Sequence, residues 1–125
     1  MGIAEKKAMR ATLERLTEET QAWLDKSGLK IESQIDFSSI ETEEATITKS
    51  INVPSSIIGY LTTLTEDQDY KEAFSEVKGI KFVPVQDEAF DYEASASLNE
   101  GLITVNFLPL QSFHGGYERS IKGLF

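Results

Sequence analysis

Lys49 is the residue whose setting most suggests chemistry. It interrupts a run in which Ala45, Ile47, Ile51 and Val53 take alternate positions. An amine on an otherwise apolar strand face loses hydration, which favours its neutral form and lets it react or hold an anion. A second run places Leu29, Ile31, Ser33, Ile35 and Phe37 on one face. Strict alternation marks half-buried strands, so residues 29–53 predict a β-hairpin. With Phe37 opposite Ala45, Ile35 faces Ile47, Ser33 faces Lys49 and Ile31 faces Ile51. Ser33 and Lys49 are thus the expected ligand-binding pair. The commoner fate of such a lysine is to snorkel to water or to meet a carboxylate.

Other constellations are weaker. His114-Gly115-Gly116 resembles the opening of a lipase oxyanion loop, but the chain has no G-x-S-x-G nucleophile elbow. A single histidine cannot build a histidine metal centre. Residues 115–123 hold glycines, a hydroxyl and two bases that could cradle a phosphate, without P-loop spacing. Asp87, Glu88, Asp91 and Glu93 supply oxygen ligands, yet the calcium-loop order and its central glycine are missing. A solvated acidic loop is the simpler reading. No catalytic residue, metal or cofactor is expected.

The charge balance narrows the partners. The net charge is −9, which opposes nucleic acid and anionic membranes and favours a basic protein partner. It is unevenly spread: residues 1–15 carry +2 and the remainder −11. With 125 residues the chain suits one domain, 1–125, large enough for a core without disulfides. It has no cysteine, which removes thiol chemistry and fits a reducing compartment. Residues 1–16 show no signal-peptide core, and no apolar run is long enough to span a membrane. A cytoplasmic protein without membrane attachment is expected.

The elements that must position these residues follow from periodicity. Met9, Leu13, Leu16, Thr20 and Trp23 line one face of a helix over residues 4–26, stopped by Gly28. Arg15 can pair with Glu19, and Arg10 with Glu14. After the hairpin, Pro54 stops the strand, and Ser55 or Ser56 caps a helix carrying Ile57, Ile58, Leu61 and Leu64. Residues 65–68 read as a capping box for a second helix bearing Tyr70, Phe74 and Val77, ended by Gly79. Residues 80–86 form a strand that Pro84 confines to an edge or a bulge. Tyr92, Ala94, Ala96 and Leu98 alternate as a fourth strand, and the small alanines invite a helix to pack closely. A three-residue turn, Asn99-Glu100-Gly101, leads to an interior strand over 102–108, apolar on both faces. Trp23, Phe37, Tyr70, Phe74, Phe82 and Phe107 are expected in the core.

The expected fold is α+β: an N-terminal helix, a hairpin, two short helices, then three strands. Its helices pack on one face of an antiparallel or mixed five-stranded sheet. Residues 111–125 form an extended or partner-docked tail, whose Phe113, Tyr117, Leu124 and Phe125 need burial in this domain or against another subunit. With Asp87, Glu88 and Asp91 they make up the expected interaction surface. The function read from these features is a small acidic, non-enzymatic interaction module: an adaptor, inhibitor or regulator of a basic partner that also self-associates. The alternatives are a small-molecule or enzymatic pocket at Ser33 and Lys49, and a structural subunit of a larger assembly, viral ones included.

Overall fold

The computed structural model describes residues 2–39 and 43–125. The first helix, α1 (Ile3–Ser27), ends where expected: Gly28 adopts φ 74° and its N–H returns to the Leu24 carbonyl. Its buried stripe is Thr12, Leu16, Thr20, Trp23 and Ser27, while Leu13 is 38% exposed. Polar residues can line that stripe because each finds a partner. The Thr12 hydroxyl donates to the Ile47 carbonyl, and Thr20 Oγ1 lies 2.7 Å from Ser33 Oγ. Trp23 Nε1–H donates to Thr65 Oγ1 at 2.9 Å. Satisfied in this way, buried hydroxyls fix the helix position at little cost.

Of the expected hairpin only the first strand forms, as β1 (Glu32–Ile35). Residues 45–49 and 52–53 are helical instead, in α2 (Glu44–Lys49) and the start of α3 (Asn52–Leu64), with a turn at Ser50 and Ile51 between them. Ile47 and Ile51 satisfy period two and period four equally, so they do not discriminate. The neighbours do: Thr46 and Ser50 are buried beside them, which is the helical pattern. Ser50 Oγ–H bonds back to the Thr46 carbonyl at 2.7 Å. Pro54 stands in the first turn of α3, where no intrahelical N–H is required. Between the two runs of the expected hairpin, residues 40–42 lie outside the described residues.

The capping box is also displaced. Helix α4 (Gln68–Phe74) is capped by Asp67, whose carboxylate accepts from the Asp69 N–H. Thr65 closes α3, its hydroxyl donating to the Leu61 carbonyl. Gly79 begins the next strand rather than ending the helix. In the middle of α3, Gly59 is exposed and a β-carbon there would meet nothing within 4 Å. Gly59→Ala should therefore stabilise the protein by about 0.5–1 kcal/mol, through lost backbone entropy of the unfolded chain. The expected readout is a higher urea midpoint with an unchanged slope.

The sheet has four strands among the described residues, not five, in the order β1-β2-β4-β3. Strand β2 (Gly79–Pro84) pairs in parallel with β1 on one side and with β4 (Leu102–Phe107) on the other. Strand β3 (Ala96–Asn99) pairs antiparallel with β4. β2 is thus interior, against the edge placement expected from Pro84. The proline is tolerated because it is the last residue of the strand, and β1 pairing has already stopped at Ile35. The β3–β4 turn has two residues, not three. Glu100 (φ 52°) and Gly101 (φ 83°) both lie in the left-handed region, as a type I′ turn demands.

Among the described residues, helices cover one face of the sheet. Ile80, Phe82, Ile103, Val105 and Phe107 point into the core, with Ile35 beside them. Register places Gln34, Lys81, Thr104 and Ser97 in a row across the other, open face. The interior strand β4 therefore buries Ile103, Val105 and Phe107 on one face and turns Leu102, Thr104 and Asn106 to the other. Over the covered face lie α1 and the last helix, α5 (Gly115–Lys122), with α2 and α3 packed on α1. All the aromatic residues expected in the core are buried except Tyr70, which is half-buried. The tail is neither extended nor free: α5 docks on its own domain, with Tyr117, Ser120 and Ile121 buried.

Candidate partner-binding cleft

Because β2 and β4 run in parallel, they finish at the same end of the sheet. The chain leaves β2 at Val85, whose N–H still donates to the Phe107 carbonyl. It leaves β4 at Leu108, whose N–H turns instead to the phenol oxygen of Tyr117 at 3.0 Å. From there the two connections diverge. They enclose a cleft of about 550 Å³ between residues 85–88 and 108–111, walled on one side by Tyr92. Crevices beyond the carboxyl ends of parallel strands are the habitual ligand sites of open α/β sheets.

The lining has two chemistries. Val85, Leu108, Pro109, Leu110 and Tyr92 give it apolar surface, and Leu110 is 57% exposed. Asp87 and Glu88 give it negative charge. Asp87 Oδ1 accepts from the Ala89 N–H at 2.9 Å, a short local turn that holds the carboxylate in place. Neither acid makes an ion pair among the described residues.

Asp91 and Glu93 stand next to the cleft but do other work. Asp91 caps the 3-10 turn Tyr92–Ala94 by accepting from the Glu93 N–H. Glu93 pairs with Arg119 of α5 at 2.6 Å, and that hydrogen bond holds its carboxyl below the usual glutamate range. The wall itself is braced by aromatic rings. Tyr92 stacks on His114 with centroids 4.0 Å apart, and meets Phe90 and Tyr117 edge-on. His114 Nδ1 accepts from the Gly116 N–H at 2.9 Å, so the histidine caps α5 rather than serving an oxyanion loop. Burial pushes the Tyr117 phenol up to about 12, against the Leu108 N–H bond that would favour the phenolate.

The expected ligand pair is not brought together. Ser33 sits on β1 against Thr20, with Ile80 as its ladder partner. Lys49 is exposed in the last turn of α2. Of the expected interaction residues, Asp87 and Glu88 line the cleft. Phe113 is half-buried and stacks on the fully buried Tyr117, and Leu124 is half-buried. Phe125 is 43% exposed and leans on the Phe74 ring at 4.8 Å. The apolar cleft residues not expected from the sequence are Val85 and Tyr92 and the run Leu108, Pro109 and Leu110. The signal for residues 108–110 is an apolar triplet that overruns the end of a strand into a polar segment.

Among the described residues no group of histidine and acidic side chains could hold a metal ion. None of the helices described is long and apolar enough to cross a membrane. Comparison with known proteins finds no match among family models, among the curated proteins or among the solved structures.

Proposed function

We propose that the protein is an acidic, non-catalytic interaction module whose cleft at the ends of β2 and β4 receives a basic segment of a protein partner. The observation that carries this reading is one cleft lined by the exposed Leu110 together with Asp87 and Glu88, neither of which is ion-paired among the described residues. An apolar floor anchors a hydrophobic side chain, and the carboxylates select lysine or arginine beside it. The net charge of −9 steers such a partner from a distance.

A labelled octapeptide of alternating lysine and leucine tests this by fluorescence anisotropy. Asp87→Asn with Glu88→Gln keeps the Asp87 acceptor oxygen while removing both charges. That variant should weaken binding about tenfold or more, and Leu110→Ser should weaken it as well. All three positions are exposed, so stability should stay within about 0.5 kcal/mol. The reading fails if a glutamate–leucine peptide binds equally well, or if the charge-neutral variant binds like the wild type.

A further inference from the structure

The same end of the molecule carries a surface of opposite character. Helix α1 buries no residue completely before Thr12. Its start presents Ile3, 74% exposed, among Lys6, Lys7 and Arg10, all exposed and none in an ion pair among the described residues. Residues three and four apart share a helix surface, so these four side chains form one patch. Ile3 and Leu110 are the two most exposed large apolar side chains described.

Topology sets both patches at one end. The short connection after Gly28 reverses the chain, and Thr20 of α1 meets Ser33 of β1. The start of α1 therefore points toward the end where β1, β2 and β4 finish, which is the end with the cleft. At 25 residues α1 is about 37 Å long. The four residues of β1 span about 13 Å. The start of α1 thus reaches well past the strand ends.

We propose that the basic segment this cleft receives is the start of α1 from a second copy of the chain, exchanged reciprocally across a two-fold axis. The inference rests on the reading of the cleft given above and names its occupant. Ile3 of each copy meets Leu110 of the other, and Lys6, Lys7 and Arg10 face Asp87 and Glu88. Because helix tip and cleft lie at one end, a single two-fold operation makes both contacts and closes the assembly as a dimer. Each contact alone is small, and the reciprocal pair brings the area toward that of a specific interface. Two copies at −9 repel at long range, but that repulsion is screened beyond about 8 Å at 0.15 M salt, whereas groups in contact still attract.

A charge exchange tests the pairing by sedimentation equilibrium of the full chain at 0.15 M salt, over about 1 µM to 1 mM. The wild type should dimerise. Lys6→Glu/Lys7→Glu/Arg10→Glu sets acid against acid and should weaken dimerisation at least about tenfold, and Asp87→Lys/Glu88→Lys sets base against base with the same effect. Mixing the two variants restores one native and one reversed contact, so the mixture should dimerise. Should either variant misfold, Ile3→Cys/Leu110→Cys decides instead. The natural chain has no cysteine, so mild oxidation should yield a covalent dimer joined only through these positions. A wild type that stays monomeric to about 1 mM, a mixture that does not associate, or a cysteine variant that yields no cross-linked dimer overturns the proposal. If the chain is monomeric while the lysine–leucine peptide still binds, the cleft reading stands and only its occupant is wrong.

Discussion

Gly116→Ala lowers the stability of the protein by about 1–3 kcal/mol, while Gly115→Ala, one position earlier, stays within about 0.5 kcal/mol. The two glycines open the same helix, α5, yet their surroundings differ. A β-carbon on Gly116 overlaps the Tyr92 Cβ and comes to 3.1 Å from the Tyr92 backbone carbon. Neither atom can swing aside, since Tyr92 belongs to a 3-10 turn wedged against α5. The helix must lift, and with it Tyr117 and Ile121, which are fully buried. A β-carbon on Gly115 meets only the end of the Arg119 side chain, at 3.2 Å, which can move. Urea unfolding of the pair checks the contrast. Equal midpoints for the two variants would mean that the close approach of α5 to Tyr92 is not what the glycine serves.

Tyr117 carries the second large effect. It is fully buried, touches the rings of Phe90, Tyr92 and Phe113, and accepts the Leu108 N–H with its phenol oxygen. Tyr117→Ala should cost about 3–5 kcal/mol, the range for emptying a buried aromatic site. Tyr117→Phe keeps the ring but leaves the Leu108 N–H without its acceptor, at about 1–3 kcal/mol.

The phenol also has a pH signature. Burial raises it to about 12, against about 10 for the unperturbed side chain. Between those values the unfolded chain releases a proton that the folded protein still holds. The unfolded state then binds fewer protons, so stability falls as pH rises. The contribution is intact below about pH 10 and is lost by about pH 12, amounting to at most about 3 kcal/mol. Lysines titrate in the same range, so the quantity to compare is the difference between wild type and Tyr117→Phe. That difference should shrink above pH 10, and a constant difference up to pH 12 would remove Tyr117 from the account.

Both predictions concern residues whose structural roles were opaque in the sequence. In the sequence Tyr117 belongs to an extended or partner-docked tail, and Gly115-Gly116 to a stretch that could cradle a phosphate. Their roles depend on Tyr92 and Leu108, which come to them only through folding. The Ser33 and Lys49 pair shows the opposite error. The alternation at 45–53 fits two periodicities, and the packing of α2 on α1 selects the helical one, in which Thr46 and Ser50 are buried. Thr12, bonded to the Ile47 carbonyl, is part of that decision.

Short-range physics was legible. Helix α1 and its Gly28 cap, the position though not the length of the turn before β4, the buried aromatic residues and the acidic segment at 87–91 all follow from the chemistry of near neighbours. So does the charge division between a basic start and an acidic body. The pairing of β1 with β2, and of β2 with β4, joins residues far apart in the chain. No local pattern specifies which partner a strand takes or in which direction. The cleft exists because two such parallel strands finish together, bringing Asp87 and Glu88 beside Leu110. The sequence alone determined which side chains could attract a basic, apolar segment. Only the tertiary structure decided that they meet, because their juxtaposition is a product of long-range strand pairing.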